Sequence, residues 1–180
     1  MPGRQRARLS RESRVEMTEI VLPEDSNQNG HAWGGRVMSL IDKAAAIAAT
    51  RHCRATVVTA SVDSLGFLAP VRLGHILRLF ASVNDAFRTS MEVGVKVFSE
   101  DPLTGHEAHC CSAYVTMVAL DAVGRPTLVP SLLPVTAEDR RRQSEARRRR
   151  GVRLAERNRR RRQPRSVGAR RPLRRPARRR

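Results

Sequence analysis

The chain has 180 residues, the length of one domain with an extension, and carries a net charge of +18. Residues 140–180 hold 21 of the 33 arginines and only two acids, whereas residues 1–139 hold 14 basic against 15 acidic residues. The positive charge therefore belongs to a tail, and the total charge gives no reason to expect polyanion binding by the near-neutral remainder.

No run of about 18 apolar residues occurs, so the sequence predicts no membrane-spanning helix. The three cysteines, Cys53, Cys110 and Cys111, form no C-x-x-C pair, and adjacent cysteines on a strand point to opposite faces. No disulfide framework is predicted, which is typical of a reducing compartment. We therefore expect a cytoplasmic protein.

In chain order, residues 1–11 read as a basic, disordered leader. The apolar residues between Arg14 and Leu22 fit a first strand, which Pro23 ends. Residues 23–34 form a polar, glycine-punctuated loop. Residues 34–51 are predicted to form one long and almost entirely apolar helix.

Beyond the helix, alternating apolar and polar residues predict four or more antiparallel strands joined by short turns. The predicted strands are Thr56 to Leu65, His75 to Val83, Ser90 to Val97 and Glu107 to Leu120. One apolar helix against one curved antiparallel sheet is an α+β arrangement. Because the helix is apolar on more than one side, we expect the sheet to wrap it or a second subunit to cover it.

Asp42 stands out because it and Lys43 are the only ionisable residues between Val37 and Thr50. An apolar helix is normally buried, and a buried carboxylate is costly unless it is paired. No residue three or four positions away is cationic, and Lys43 points about 100° away around the helix. We therefore expect Asp42 to be a buried carboxylate with a perturbed pKa. It is either a catalytic group or a structural acid satisfied by backbone groups or by another element.

The last segment, residues 136–180, is an arginine-rich extension. We predict a basic helix over residues 138–163 and disorder from Pro164 onward. Arginine at this density binds nucleic-acid phosphates without sequence specificity, or docks on anionic lipids. A passive extension is the alternative.

Five motifs together carry a family resemblance: Asp25-Ser26-Asn27-x-x-Gly30-x-x-Trp33-Gly34-Gly35, Met38-x-x-Ile41-Asp42, Arg51-His52-Cys53, Val58-Thr59-Ala60-Ser61-Val62-Asp63 and Thr89-Ser90-Met91-Glu92-Val93. Over about residues 12–135 the chain resembles the hotdog-fold acyl-CoA thioester hydrolases, both the bacterial broad-range thioesterases and the cytosolic enzymes of animals. The resemblance implies a curved antiparallel sheet wrapped around one long central helix. It also implies hydrolysis of acyl-CoA to CoA and a carboxylic acid, with no cofactor expected.

The resemblance also assigns site residues. Asp42 matches the family's base or nucleophile, and the sequence leaves both roles open. Asn27 matches the asparagine that acts with the aspartate of a neighbouring hotdog unit, which in a one-unit chain implies a homo-oligomer: a dimer at least, or a trimer of dimers as in single-unit relatives. The N–H groups of a helix starting at Gly34 and Gly35 suit a thioester carbonyl oxygen. A tight turn that needs positive φ is a second explanation of the glycine pair.

Arg88, Thr89 and Ser90 open the strand with the cleanest alternation, where the relatives contact the coenzyme. An arginine suits phosphate, although a solvated turn arginine is the alternative. His106 and His109 are not predicted to bind metal, because residues three apart on a strand point to opposite faces. The alternative function is non-specific binding of nucleic acid or anionic membrane by the tail, with the hotdog domain a non-catalytic acyl-CoA binder.

Overall fold

A computed structural model describes residues 6–63 and 65–162 of the chain, without the side chains of residues 160–162. The predicted order of one strand, one long helix and four strands is confirmed. The elements are β1 (Arg8–Leu9), β2 (Val15–Ile20), α1 (Gly34–Cys53), β3 (Thr56–Val62), β4 (Ile76–Ala86), β5 (Ser90–Glu100), β6 (Glu107–Leu120), β7 (Leu132–Leu133) and α2 (Ala137–Arg162). Two short 3-10 helices cover Ser10–Ser13 and Pro23–Asp25.

Five of the strands form one antiparallel sheet in the order β2-β4-β5-β6-β3, and β1 pairs with β7 in parallel. The alternation predicted for β5 is confirmed, because its inward-facing residues are buried against the helix: Met91, Val93, Val95 and Val97. β3 lies at one edge of the sheet, and its register with β6 shifts between Thr59 and Ser61. One edge of β3 is thus unpaired within the described chain.

The helix α1 packs on the inner side of this curled sheet. Its buried face consists of small and branched side chains: Val37, Leu40, Ile41, Ala44, Ala45, Ala48 and Ala49. The four alanines allow a close approach of helix and strands, which suits a core with few aromatic residues. The helix ends at Cys53, where Arg54 adopts φ 53° and its N–H bonds to the Thr50 carbonyl. The α+β hotdog architecture is therefore confirmed.

The leader expected to be disordered over residues 1–11 is ordered from Arg8 onward. The Arg8 N–H donates to the carbonyl of Ser131 at 2.9 Å, and the Leu9 N–H donates to the Glu12 carboxylate at 2.9 Å. Pairing of β1 with β7 accounts for this difference, because it supplies hydrogen-bond partners that local composition does not reveal. Residues 1–5 lie outside the described residues.

α2 agrees closely with the predicted basic helix over residues 138–163, and Thr136 and Asp139 exchange hydrogen bonds at its start. The chain divides into two units, Met1–Arg147 and Arg148–Arg180. The first turns of α2 therefore belong to the first unit, beyond the boundary expected at residue 135. The disorder predicted from Pro164 onward lies outside the described residues. Of the described helices, neither is both long and apolar enough to cross a membrane.

Candidate active site

Asp42 lies on α1 with its carboxylate directed at the edge strand β3. The hydroxyl of Thr59 donates a hydrogen bond to Asp42 Oδ1 at 2.5 Å. The same hydroxyl oxygen lies 3.5 Å from the sulfur of Met117, but its single proton favours the charged acceptor. Oδ1 is thus occupied, and Oδ2 is the carboxylate oxygen left for chemistry.

The expectation that Asp42 is buried is wrong for the described chain: its side chain is exposed. Asp42 sits on a surface that we call the open face, formed by Met38 and Asp42 of α1 with Thr59 and Val62 of β3. The apolar members, Met38 and Val62, are 50% and 49% exposed. The sheet covers only one side of α1, so the wrapping that the apolar sequence predicted is incomplete within one chain.

Asn27 lies in the loop before α1, in a tight turn whose earlier limb is residues 25–27 and whose later limb is residues 30–33. Its side-chain oxygen accepts the backbone N–H groups of Asn29 at 2.9 Å and His31 at 3.3 Å. Both partners are donors, so the accepting atom must be the oxygen, and the amide orientation follows from the hydrogen-bond network. The Asn27 NH2 group is therefore the part of the side chain that remains to act as a donor.

The helix begins at Gly34 as predicted. The N–H groups of Arg36 and Val37 bond to the Trp33 carbonyl, whereas those of Gly34 and Gly35 have no acceptor among the described residues. Neither glycine has positive φ, so the alternative explanation by a strained turn is wrong. A Cβ at Gly35 would meet no atom within 4 Å, and the backbone there is open to a ligand.

A mostly apolar cavity of about 310 Å³ adjoins the helix start. Its lining includes His31, Gly34, Val37, Phe67, Leu68 and Val71. A Cβ at Gly34 would lie 3.4 Å from the Phe67 ring, so this ring forms the wall beside the helix start. The volume falls at the small end of the range for ligand pockets.

One chain does not bring all the predicted groups together. Gly34 and Asp42 are eight residues apart on the same helix, which corresponds to about 12 Å along its axis. Asn27 lies with the helix start, whereas Asp42 lies with Thr59 on the open face. Within one chain these two half-sites are separate.

Arg88 and Thr89 lie in the turn between β4 and β5, and Ser90 is the first residue of β5. Their carbonyls accept the N–H groups of Val129, Ala119 and Phe87, respectively, which fixes the backbone of the turn. The exposed side chain of Arg88 has no ion-pair partner among the described residues. No cluster of potential metal ligands occurs within residues 6–63 and 65–162, and His109 Nε2 lies 3.0 Å from the Ser112 hydroxyl.

Comparison with known proteins places this geometry in a family. The model of the thioesterase superfamily matches residues 29–106. A Bacillus subtilis protein described as an uncharacterized acyl-CoA thioester hydrolase, YkhA, is 42% identical over 132 residues, which is 73% of this chain and 77% of that protein. This chain belongs to the thioesterase superfamily.

Two solved thioesterase structures are similar over almost their whole length. A Staphylococcus aureus acyl-CoA hydrolase, solved with butyryl coenzyme A and coenzyme A, has a TM-score of 0.80 and 35% identity, covering 86% of this chain and 94% of that one. A hexameric acyl-CoA thioesterase, solved without ligand, has a TM-score of 0.81 and 38% identity, covering 84% and 97%.

Three variants of the Staphylococcus aureus hydrolase have also been solved, each with one residue replaced by alanine: an asparagine, an aspartate and a threonine. In that enzyme's own numbering each replaced position is one higher than Asn27, Asp42 and Thr59, respectively. Asn27 and Asp42 were selected from the sequence. Thr59 lay inside a quoted motif without a role, and its signal was a small polar side chain on the strand beside the helix of Asp42.

Proposed function

We propose that this protein hydrolyses acyl-CoA thioesters to a carboxylic acid and CoA, in a homo-oligomer. The observation that carries the proposal is the Asp42–Thr59 pair, which lies on the open face beside the exposed apolar side chains of Met38 and Val62. The Thr59 hydroxyl orients the carboxylate and leaves its other oxygen, Oδ2, without a hydrogen-bond partner among the described residues. The names of the similar hydrolases support the thioester as substrate.

Asp42 acts through Oδ2 as a general base or as a nucleophile, and both routes balance. As a base it takes a proton from water while the water oxygen attacks the thioester carbon. As a nucleophile it forms a mixed anhydride, which water then hydrolyses. In both routes the C–S bond breaks and CoA leaves as a thiolate. A free cysteine thiol has a pKa of about 8.5, so a leaving thiolate of this kind needs no dedicated acid.

The thioester oxygen becomes negatively charged during attack and needs donors. We assign this role to the backbone N–H of Gly35, with Gly34 and the positive end of α1 alongside. The Asn27 NH2 group supplies a further donor, to the same oxygen or to the attacking water, because its oxygen is already occupied.

The two half-sites then come from two subunits. The helix start and Asn27 of one subunit meet Asp42 and Thr59 of the other when their open faces pack together. This packing also covers the exposed apolar side chains and the free edge of β3, both of which are unfavourable when left exposed. Hexameric thioesterases of similar structure support the higher assembly, a trimer of dimers.

The cavity beside Gly34 receives the acyl chain in this arrangement, because it adjoins the proposed position of the thioester carbonyl and is mostly apolar. Arg88, Thr89 and Ser90 contact the coenzyme, with the unpaired guanidinium of Arg88 facing phosphate. The three cysteines are buried free thiols, and this supports a cytoplasmic location.

A panel of acyl-CoA substrates of increasing chain length tests the function, with released CoA measured by a thiol reagent. We expect turnover by the full-length protein and its loss in Asp42→Asn, a variant of unchanged shape. Absence of turnover with every chain length, in a folded oligomer that still binds acyl-CoA, would instead favour the non-catalytic binder.

We also propose that the arginine-rich tail binds polyanions. Residues 148–180 hold 17 arginines against one acid, and they form a unit separate from the first. Charge of this density supports salt-sensitive binding to RNA, DNA or anionic vesicles. The effect of this tail is independent of the chemistry at Asp42.

A further inference from the structure

The loop that carries Asn27 is held differently on its two limbs. The later limb is fixed by backbone hydrogen bonds to the segment after Pro70: Ala32 N–H to the Val71 carbonyl at 2.8 Å, and Leu73 N–H to the Gly30 carbonyl at 2.8 Å. The earlier limb, residues 25–27, pairs with the later limb: Ser26 forms a β-bridge with Ala32, and the Asn27 N–H donates to the His31 carbonyl at 2.7 Å. The helix start holds this limb through the Trp33 N–H, which donates to the Asp25 carbonyl at 2.8 Å, and through one side chain.

That side chain is Arg36, in the first turn of α1. Its Nε lies 2.9 Å from Asp25 Oδ1, and its Nη2 lies 2.7 Å from Glu19 Oε1 on β2. The Asp25 side chain is only 15% exposed, and Arg36 Nε is fully buried and makes no hydrogen bond among the described residues, so its contact with Asp25 is an ion pair. One guanidinium thus ties three parts of the chain together: the strand, the helix start and the limb that carries Asn27.

We propose that Arg36 is a positioning residue that holds Asn27 at the helix start, an inference that rests on the proposed role of Asn27 in hydrolysis. Asp25 precedes Asn27 by two residues, so release of the Asp25 side chain removes the side-chain anchor of this limb and allows Asn27 to shift relative to the helix start. A displacement of about 1 Å of a group that contacts the reacting atoms costs as much as 100-fold in rate.

Arginine fits this position for a geometric reason. Its planar guanidinium reaches two carboxylates at once, with Nη2 hydrogen-bonded to Glu19 and Nε in an ion pair with Asp25, whereas a lysine ammonium on a flexible stem serves as one point charge. Removal of the guanidinium leaves Asp25 and Glu19 without their shared partner, so the position of residues 25–27 then depends on the backbone hydrogen bonds of Asn27 with His31 and of Asp25 with Trp33.

Two measurements on the full-length protein test the proposal: hydrogen exchange of loop amides, and kcat and KM for a short acyl-CoA. In Arg36→Met we expect several-fold faster exchange at Trp33, Asn27 and Asn29, while the amides of Ala32 and Leu73 remain protected by their own partners. We expect kcat to fall about tenfold. Arg36→Lys and Asp25→Asn should give intermediate losses.

A double-mutant cycle separates positioning from general destabilisation. Because Arg36 acts through Asn27, the double variant Asn27→Ala/Arg36→Met should have the kcat of Asn27→Ala alone. Arg78→Met is the matched control, since it breaks ion pairs to Glu16, Glu100 and Glu107 away from this loop and should leave kcat unchanged.

Unchanged loop exchange in folded Arg36→Met would overturn the proposal, as would losses in kcat that add fully in the double variant. The exchange readout does not depend on activity. If the wild-type protein proved unable to hydrolyse any acyl-CoA, the proposed function would fail, while faster exchange in Arg36→Met would still support the restraint of the loop.

Discussion

The Thr59 hydroxyl of β3 lies 2.5 Å from Asp42 Oδ1 of α1, and this contact joins the free edge of the sheet to the exposed side of the central helix. A hydroxyl bonded to a carboxylate is among the stronger hydrogen bonds in proteins. It fixes the rotation of the carboxylate and leaves Oδ2 without a hydrogen-bond partner among the described residues. In catalytic sites, a base is commonly oriented by a second residue in this way.

Replacement of Asp42 tests the chemistry directly. Asp42→Ala and Asp42→Asn should lower kcat by several orders of magnitude while the far-UV circular dichroism and the oligomeric state remain those of the wild type. Lys43→Ala is the control, since it removes the neighbouring exposed charge on the same helix. A kcat within about tenfold of wild type, equal to about 1.4 kcal/mol of barrier, would contradict the role of Asp42.

Thr59 offers an isosteric test of orientation. Thr59→Val removes the donor while keeping the shape, so kcat should fall about 10- to 100-fold, with little change in KM. Thr59→Ser keeps the hydroxyl and should retain most of the rate. Equal kcat values for the valine and serine variants would show that the hydrogen bond to Asp42 has no part in catalysis.

The fold followed from the sequence because its periodicity is local. The alternation in β5 and the apolar run of α1 each depend on neighbouring positions, and both were confirmed. Order at Arg8 and Leu9 was not predicted, since it depends on pairing with a segment more than 120 positions away in the chain. The docking of α2 was missed for a similar reason: its contacts involve Asp85, which carries no local signal.

The site was only partly predictable. Asp42 and Asn27 were proposed as site residues from composition and motif. Asp42 was expected to be buried because its helix is apolar, but one chain alone leaves its side chain exposed. An apolar helix predicts that something covers it, and the sequence does not say whether this is the same chain or another. Thr59 was not proposed as a site residue because threonine is common on strands. Its hydrogen bond to Asp42, which distinguishes it, is visible only in the structure.

Mixed subunits test the division of the site between two chains. Asn27→Ala and Asp42→Ala should each be nearly inactive, but a dimer containing one subunit of each retains one intact site of its two. Random exchange at equal amounts makes half the dimers hybrid and should restore about a quarter of the wild-type rate. If labelled subunits exchange and no activity returns, the site lies within one chain.

His52 predicts a pH dependence of stability. It is fully buried, its Nε2 lies 2.9 Å from the Pro130 carbonyl, and its Nδ1 has no hydrogen-bond partner in the described chain. Burial lowers the pKa of His52 below its usual 6.5, although the hydrogen bond to Pro130 opposes this. Below about pH 6.5 this histidine is therefore protonated in the unfolded chain but still neutral in the folded chain. The free energy of unfolding falls with decreasing pH until the pKa of the folded state is reached.

The measurement is the free energy of unfolding in urea between pH 5 and 8, for the wild type and His52→Gln. The wild-type value minus the variant value should decrease on acidification by at most about 1.4 kcal/mol per pH unit. Glutamine keeps a donor near Pro130 but does not titrate. A difference that stays constant across pH 6.5 would mean that His52 has the same pKa in both states.

The last prediction concerns the two parts of α2, before and after Arg147, which the sequence analysis assigned to one tail. In the first unit, Arg147 and Gln143 each lie 2.9 Å from the buried Asp85 carboxylate, and Ala146 is fully buried. Truncation after Arg147 keeps these contacts, so it should leave kcat and Tm close to wild type. Truncation after Thr136 removes them and should cost about 1–3 kcal/mol, since Asp85 loses its partners.

Truncation after Arg147 should also abolish most salt-sensitive binding to RNA, DNA and anionic vesicles, because it removes 17 of the 33 arginines. Thermal unfolding, kinetics with a short acyl-CoA and binding across a salt series distinguish the outcomes. Gln143→Ala/Arg147→Met in the full chain is the matched control: it disturbs docking on Asp85 while keeping nearly all the tail charge, so it should lower Tm without weakening polyanion binding. If the form truncated after Arg147 still bound polyanions with an unchanged salt dependence, the binding surface would lie in the first unit. If that form lost kcat while it remained folded and oligomeric, the tail would take part in the active site.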